Sequence, residues 1–208
     1  MKSNSKRFLS FFVCLFLLAG CLSSPCLAAS KTSGKCGKNV KWSYNQKKKT
    51  ITISGKGKMK NYKDIEDYDY LFKANTPWES KKIEIEEIKI KKGVTYIGEC
   101  AFSCCNAEKV TIPKTVKKIG AWSFYGCGFQ SVTIPEGVTT IGDGAFAWNT
   151  DMKSIKIPKS VKKIGGLAVG YSDPMNEEID EDFIIYGYKN SAAEKYAKKN
   201  NIRFKQIK

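Results

Sequence analysis

From residue 88 to residue 165 the apolar positions keep one schedule. Each unit opens with an apolar–polar–apolar triplet: Ile88/Ile90, Val110/Ile112, Val132/Ile134 and Ile155/Ile157. Such alternation in a short β-branched run predicts a strand with one face inward. Proline follows at 113, 135 and 158, with Lys91 in the first unit. Lacking an N–H to donate, proline stops the strand and turns the chain. A second apolar pair comes next: Val94/Ile97, Val116/Ile119, Val138/Ile141 and Val161/Ile164. Glycine then stands at 98, 120, 142 and 165, where a tight or left-handed turn is cheap. Three residues on, Ala101-Phe102, Ser123-Phe124, Ala145-Phe146 and the degenerate Ala168-Val169 predict one helical turn dropping a ring into the core.

The glycines are 22, 22 and 23 residues apart. A fixed period in this range specifies stacked coils, here a mainly β repeat solenoid. At about 4.8 Å per coil, four coils make a core only ~20 Å long, so both ends need covers. Lys47–Gly55 reads as the tail of a hairpin with Ile51 and Ile53 inward. Together with residues 36–46 it would cover the first coil. At the other end, Asn190 or Ser191 is placed to cap a helix over Ala192–Lys199, with Ala193, Tyr196 and Ala197 as its apolar face. The expected division is a leader over 1–28, an N-terminal β cap over 29–80, the solenoid over 81–186 and a helical cap with tail over 187–208.

The repeat phrase is similar to that of the BspA-like leucine-rich repeat family of bacterial surface proteins, V-x-I-P-x-x-V-x-x-I-G-x-x-A-F-x-x-C. Cys105 and Cys127 match its last position, and Asn149 holds that place in the third unit. Cys36 to Trp42 and Ile51 to Met59 resemble the β segment that precedes such repeats. Pro77-Trp78 resembles its junction with them, and Ile185 to Phe204 the terminal unit. The resemblance implies secretion, surface exposure and an adhesin-like role.

Lys2, Lys6 and Arg7 precede the apolar run Phe8 to Leu22. As a helix that run spans about 22 Å, short of a bilayer's hydrocarbon core, and small residues follow it. This is the pattern of an export signal. Two cleavage readings stand side by side. Cys26-Leu-Ala28 fits an ordinary secretory site, which Pro25 and Ala28 favour. Leu18-Ala-Gly-Cys21 fits a lipobox in which Cys21 would carry lipid and tether the protein to the membrane.

Beyond the leader lie Cys36, Cys100, Cys104, Cys105 and Cys127. The absence of histidine and of a paired C-x-x-C argues against a metal site of Cys100, Cys104 and Cys105, and Cys105 and Cys127 read as small hydrophobes stacked in adjacent coils. A Cys104–Cys127 or Cys105–Cys127 disulfide stays open in an oxidising setting. The acidic runs Asp64–Asp69 and Asp173 with Glu177–Asp182 do not follow the calcium loop D-x-[DN]-x-[DN]-G and read as charged loops. No cofactor is implied.

Net charge is +16, of which three charges sit in the leader, leaving +13. Lys117-Lys118 and Lys162-Lys163 share one repeat slot with Thr139-Thr140 between them, and Lys114 matches Lys159. Periodic lysine becomes a stripe. It serves either attraction to polyanions such as wall polymers and sulfated glycans, or solubility of an extended β surface. The outward strand residues Lys89, Thr111, Thr133 and Lys156 form a second candidate row for a protein ligand. Trp122, Tyr125, Trp148 and Tyr171 are candidate aromatic anchors, Trp122 the one most expected to pack on the next coil. Export and the absence of a nucleic-acid-binding motif argue against nucleic acid.

Without histidine, His-based triads and most acid–base schemes are excluded, and no nucleotide or nucleophile-elbow fingerprint is present. The chain therefore reads as a non-catalytic extracellular binding module. The alternative is a structural envelope component held electrostatically to anionic wall polymers.

Overall fold

Each repeat closes into a three-sided coil. The computed structural model describes residues 31–62, 74–173 and 177–208. The expected leader with Cys21 and the acidic run Asp64–Asp69 lie outside these residues. Lys31–Lys208 forms one compact unit.

The first side is the strand of the opening triplet. Thr50–Gly55, Glu87–Ile90 and Lys109–Thr111 stack in parallel with Ile51, Ile88 and Val110 in register. Ser131–Thr133, Ser154–Lys156, Ile184–Gly187 and Arg203–Gln206 form a second parallel stack with Val132, Ile155, Ile185 and Phe204 in register. After each proline the corner closes with a short turn, Val116 N–H to the Pro113 carbonyl and Val161 N–H to the Pro158 carbonyl. The second side is one continuous parallel ladder of Gly57–Lys58, Val94–Ile97, Lys118–Ile119, Thr140–Ile141 and Lys163–Ile164. Its inward residues Val94, Ile97, Val116, Ile119, Val138, Ile141 and Val161 are buried.

The glycines after this side act differently from the sequence expectation. None of Gly98, Gly120, Gly142 or Gly165 has a left-handed backbone. A Cβ at Gly98 would lie 1.7 Å from the Lys60 carbonyl oxygen, and one at Gly142 2.5 Å from the Ala121 nitrogen. Glycine is required because the neighbouring coil's backbone passes through the space a side chain would fill.

The third side is not a helical turn. Alternate N–H groups of Cys100, Phe102 and Cys104 donate across to the carbonyls of Ala121, Ser123 and Tyr125, at 3.0, 2.8 and 2.7 Å. The intervening Ala101, Ser103 and Cys105 donate back three residues within their own coil. The next two coils repeat the cross-coil pattern: Trp122, Phe124 and Gly126 donate to Asp143, Ala145 and Ala147, and Gly144, Phe146 and Trp148 to Gly166, Ala168 and Tyr171. A helix would spend every N–H inside its own segment. Here a coil stacked one strand spacing away competes for half of them, and left-handed residues at 100, 122, 144 and 167 and at 104, 126, 148 and 170 turn the chain to suit. The ring goes where the sequence predicts. Trp78, Phe102, Phe124 and Phe146 form a buried column with centroids 5.5, 5.5 and 5.1 Å apart and planes within 19°.

Trp78 heads that column because the solenoid begins earlier than the sequence suggests. Strand Thr50–Gly55, Gly57–Lys58 and Trp78 occupy the three sides of a further coil. The hairpin strand Val40–Asn45 pairs antiparallel with Thr50–Gly55, and Ser33–Lys35 pairs on it in turn. Trp42 packs edge-on against Trp78 and covers the end of the column. At the far end Ser191 caps helix Ala192–Lys199, accepting from the Glu194 N–H, while the Glu194 carboxylate accepts from the Asn190 N–H. Ala193, Tyr196 and Ala197 are its buried face. The segment after the helix is more than a tail: Arg203–Gln206 adds a parallel strand beside Ile184–Gly187. Among the described residues, no helix is long and apolar enough to cross a membrane.

Candidate functional site

The second side of the solenoid carries its charge outward. In each short strand the inward residues are three apart, as Val116 and Ile119 are, so both residues between them face solvent. The ladder register then lines up Tyr96, Lys118, Thr140 and Lys163. Lys117 and Lys162 sit one position earlier, and Lys114 and Lys159 occupy the adjoining proline corner. All six lysines are exposed, and among the described residues none is in an ion pair. Lys56, Lys58 and Lys92, also exposed and unpaired with acids, continue the stripe toward the N-terminal end. Among the described residues elsewhere, Lys49 pairs with Glu86, Lys81 with Glu84, Lys82 with Glu79, Lys153 with Asp180 and Lys198 with Glu194. The predicted residues Lys117, Lys118, Lys162 and Lys163 are thus brought together. The three N-terminal lysines were missed; Lys92 stands two residues before Val94 as Lys114 does before Val116, which is a signal for it, whereas Lys56 and Lys58 lie in a coil that the 22-residue step does not reveal.

The second predicted row crosses a break between two sheets. Lys89 and Thr111 belong to the first sheet and Thr133 and Lys156 to the second, with Lys109–Thr111 and Ser131–Thr133 as the edges of different sheets. Lys89 is also partly buried and pairs with Glu87 at 2.9 Å.

Of the aromatic candidates, Trp148 is 39% exposed, Trp122 is half-buried, and Tyr125 and Tyr171 are buried. Both tryptophans sit at left-handed positions, each beside a glycine of the neighbouring coil: Trp122 over Gly144 and Trp148 over Gly126. Tyr125 packs between them, 5.6 Å from Trp122 and 5.3 Å from Trp148. Tyrosine here serves packing, because the absent side chains at the glycines let the rings close over it.

Cys36, Cys105 and Cys127 carry free thiols, so neither proposed disulfide to Cys127 is formed. Burial pushes the Cys105 thiol up to about 12, that of Cys36 to about 12, and that of Cys104 to about 11, despite the nearby Lys82 ammonium at Cys104 and Cys105. Such thiols are poor nucleophiles at neutral pH. Cys127 Sγ instead donates to the Phe102 carbonyl at 3.3 Å. One coil on, Asn149 Nδ2 makes the equivalent bond to the Phe124 carbonyl at 2.8 Å. The repeat's cysteine slot is therefore a donor that ties one coil to the previous one, which explains why asparagine replaces it. In the second acidic run Asp180 pairs with Lys153 and Asp182 with Arg203. Among the described residues, no three His, Cys, Asp or Glu side chains are grouped to hold a metal ion.

The BspA-type leucine-rich repeat pattern matches residues 79–182, half of the chain, in six copies. The chain belongs to the BspA-type leucine-rich repeat family. A crystal structure of a leucine-rich repeat protein from Eubacterium ventriosum is similar at 28% identity and a TM-score of 0.56, over 76% of this chain and 44% of that one. This BspA-type chain thus spans less than half the length of that protein. A leucine-rich repeat protein of T. pallidum aligns at 17% identity and a TM-score of 0.45 over 70% of this chain and 67% of that one. A leucine-rich cell surface protein of Faecalibacterium prausnitzii aligns at 18% and 0.31, over 76% and 55%. No curated protein matches the chain.

Proposed function

We propose that this BspA-type protein is an exported, non-catalytic binding module that works outside the bacterium through the lysine-bearing side of its solenoid. The observation that carries this reading is the alignment of unpaired lysines along one ladder. The second side presents a run of exposed lysines outside any ion pair, held in line by one continuous parallel ladder. Unneutralised charge of one sign, repeated along a rigid ladder, attracts an extended partner of the opposite sign. The partner is a host or microbial surface rich in anionic glycan, which makes the role adhesin-like. Residues 1–28 act as the export leader, with Cys21 as lipid anchor if cleavage follows the lipobox.

The same charge also supports the envelope reading, in which the protein is a short rod held on its own anionic wall. The test is binding of the protein, purified from its producing cells, to isolated envelope and to extracellular matrix across a salt series. An adhesin-like module binds matrix at physiological ionic strength. Retention on envelope alone, lost as salt screens exposed charges, selects the envelope role. Intact mass settles the N-terminus: an acylated Cys21 means a tethered lipoprotein, and an unmodified start near Ala29 a released one.

A further inference from the structure

The lysines of the second side are not spread evenly. Lys114, Lys117 and Lys118 lie in one coil and Lys159, Lys162 and Lys163 two coils further on. The ladder places Lys118 and Lys163 on either side of Thr140, one strand step from each, so the two triads are about 9.5 Å apart. The coil between them contributes Thr139 and Thr140, both partly exposed. Thr139 Oγ1 donates to the Lys117 carbonyl at 3.0 Å, which leaves its lone pairs outward as an acceptor. The Lys117 ammonium leans toward this middle coil, 3.5 Å from where a Cβ on Gly137 would stand. Glu136 is the acid of the middle corner, exposed and outside any ion pair. Its presence makes the middle coil a neutral-to-acidic gap between two cationic ends.

We infer that the two lysine triads, with the threonine pair between them, form one site for a sulfated linear glycan lying along the solenoid axis. This rests on the binding-module reading above and narrows it to a ligand and a place. The pattern of cation, hydroxyl and cation fits a polymer that alternates anionic groups with uncharged hydroxylated rings. Sulfates on successive disaccharides meet the two triads, and the ring hydroxyls between them meet Thr139 and Thr140. A phosphodiester chain, with its charges more closely spaced, would place an anion over the threonines beside the Glu136 carboxylate, on a stretch (136–142) that contributes no lysine of its own. The parallel ladder holds the triads at fixed separation before the ligand arrives, so little order has to be acquired on binding.

The experiment titrates the full-length exported protein with a sulfated glycosaminoglycan octasaccharide, its desulfated counterpart and poly(glycerol phosphate). It is repeated on Lys118→Gln/Lys163→Gln and on the charge-matched control Lys47→Gln/Lys48→Gln in the N-terminal hairpin. All four lysines are exposed, so both variants retain the fold, checked by circular dichroism. The site predicts tighter binding of the sulfated octasaccharide than of either other probe. It also predicts at least about a tenfold loss in the ladder variant against less than about threefold in the control, with the salt slope reduced by about two. Equal losses in the two variants overturn the site and leave diffuse attraction. Preference for poly(glycerol phosphate) overturns the glycan assignment and favours the envelope role. No binding of any probe by a protein that still binds matrix overturns this inference and leaves the binding-module reading standing.

Discussion

The second and third sides of each coil are cut from the same repeat, yet they present opposite surfaces. The second side is a continuous ladder with valine and isoleucine inward and lysine or threonine outward. The third is a staircase of turns with a phenylalanine column inward and tryptophan, glycine and small residues outward. No lysine or arginine occurs in 121–130 or 143–150, whereas Lys118 stands three residues before the first stretch and Lys162 twelve residues after the second. Inward residues are held by stacking, which repeats every coil and permits little change. Outward residues are limited only by solubility and by what they bind. The difference between the sides is therefore information about function, and the likeness between coils is information about fold.

Breaking the inward set has the largest effect. Phe124 is fully buried between Phe102 and Phe146 and edge-on to Phe129, so Phe124→Ala is expected to cost about 3–5 kcal/mol in chemical denaturation. Gly142→Ala comes next. Its Cβ meets the Ala121 backbone at 2.5 Å, and shifting one coil against another is expected to cost about 1–3 kcal/mol. Asn149→Leu removes the donor that links its coil to the Phe124 carbonyl and leaves that carbonyl buried, an expected loss of about 1–3 kcal/mol.

The buried thiols add a pH signature. Cys36 and Cys105 titrate at about 12 when folded, up from an ordinary 9.0, so the folded state favours their protonated forms. That stabilisation is fully present below pH 9.0 and is lost as pH rises through about 12. Thermal melts are therefore expected to fall across this window. Cys36→Ala/Cys105→Ala flattens the fall, and an unchanged alkaline profile in that variant would show that other groups govern it. The smallest effect on stability belongs to the outward lysines. Lys118→Gln/Lys163→Gln is expected to lie within about 0.5 kcal/mol of the parent while changing ligand binding.

The repeat made the inward set legible, because stacking leaves a period in the apolar residues. It did not reveal why Gly98 and Gly142 are glycine. A short-range reading supplies a turn, and the cause is the backbone of another coil. For the same reason Ala101-Phe102 looked helical: competition for N–H groups from Ala121 and Ser123 is invisible in local sequence. The first coil escaped notice because Ile51 and its register partner Ile88 are 37 residues apart, well beyond the 22-residue step. With that coil unseen, Lys56 and Lys58 could not be joined to the stripe. The row through Lys89, Thr111, Thr133 and Lys156 is split between two sheets, because alternation places residues outward but does not say that the sheet divides between Thr111 and Thr133. Lys117, Lys118, Lys162 and Lys163 do line up, because one shared slot in one uninterrupted ladder is enough to align them.

The most direct test of the division between sides is a lysine-acylation footprint of the protein, free and bound to a sulfated glycosaminoglycan, read by peptide mass spectrometry. The account predicts protection at Lys114, Lys117, Lys118, Lys159, Lys162 and Lys163, with Lys47, Lys48 and Lys195 labelled equally in both states. Protection that instead fell on Lys89 and Lys156, or was shared evenly by all exposed lysines, would contradict it.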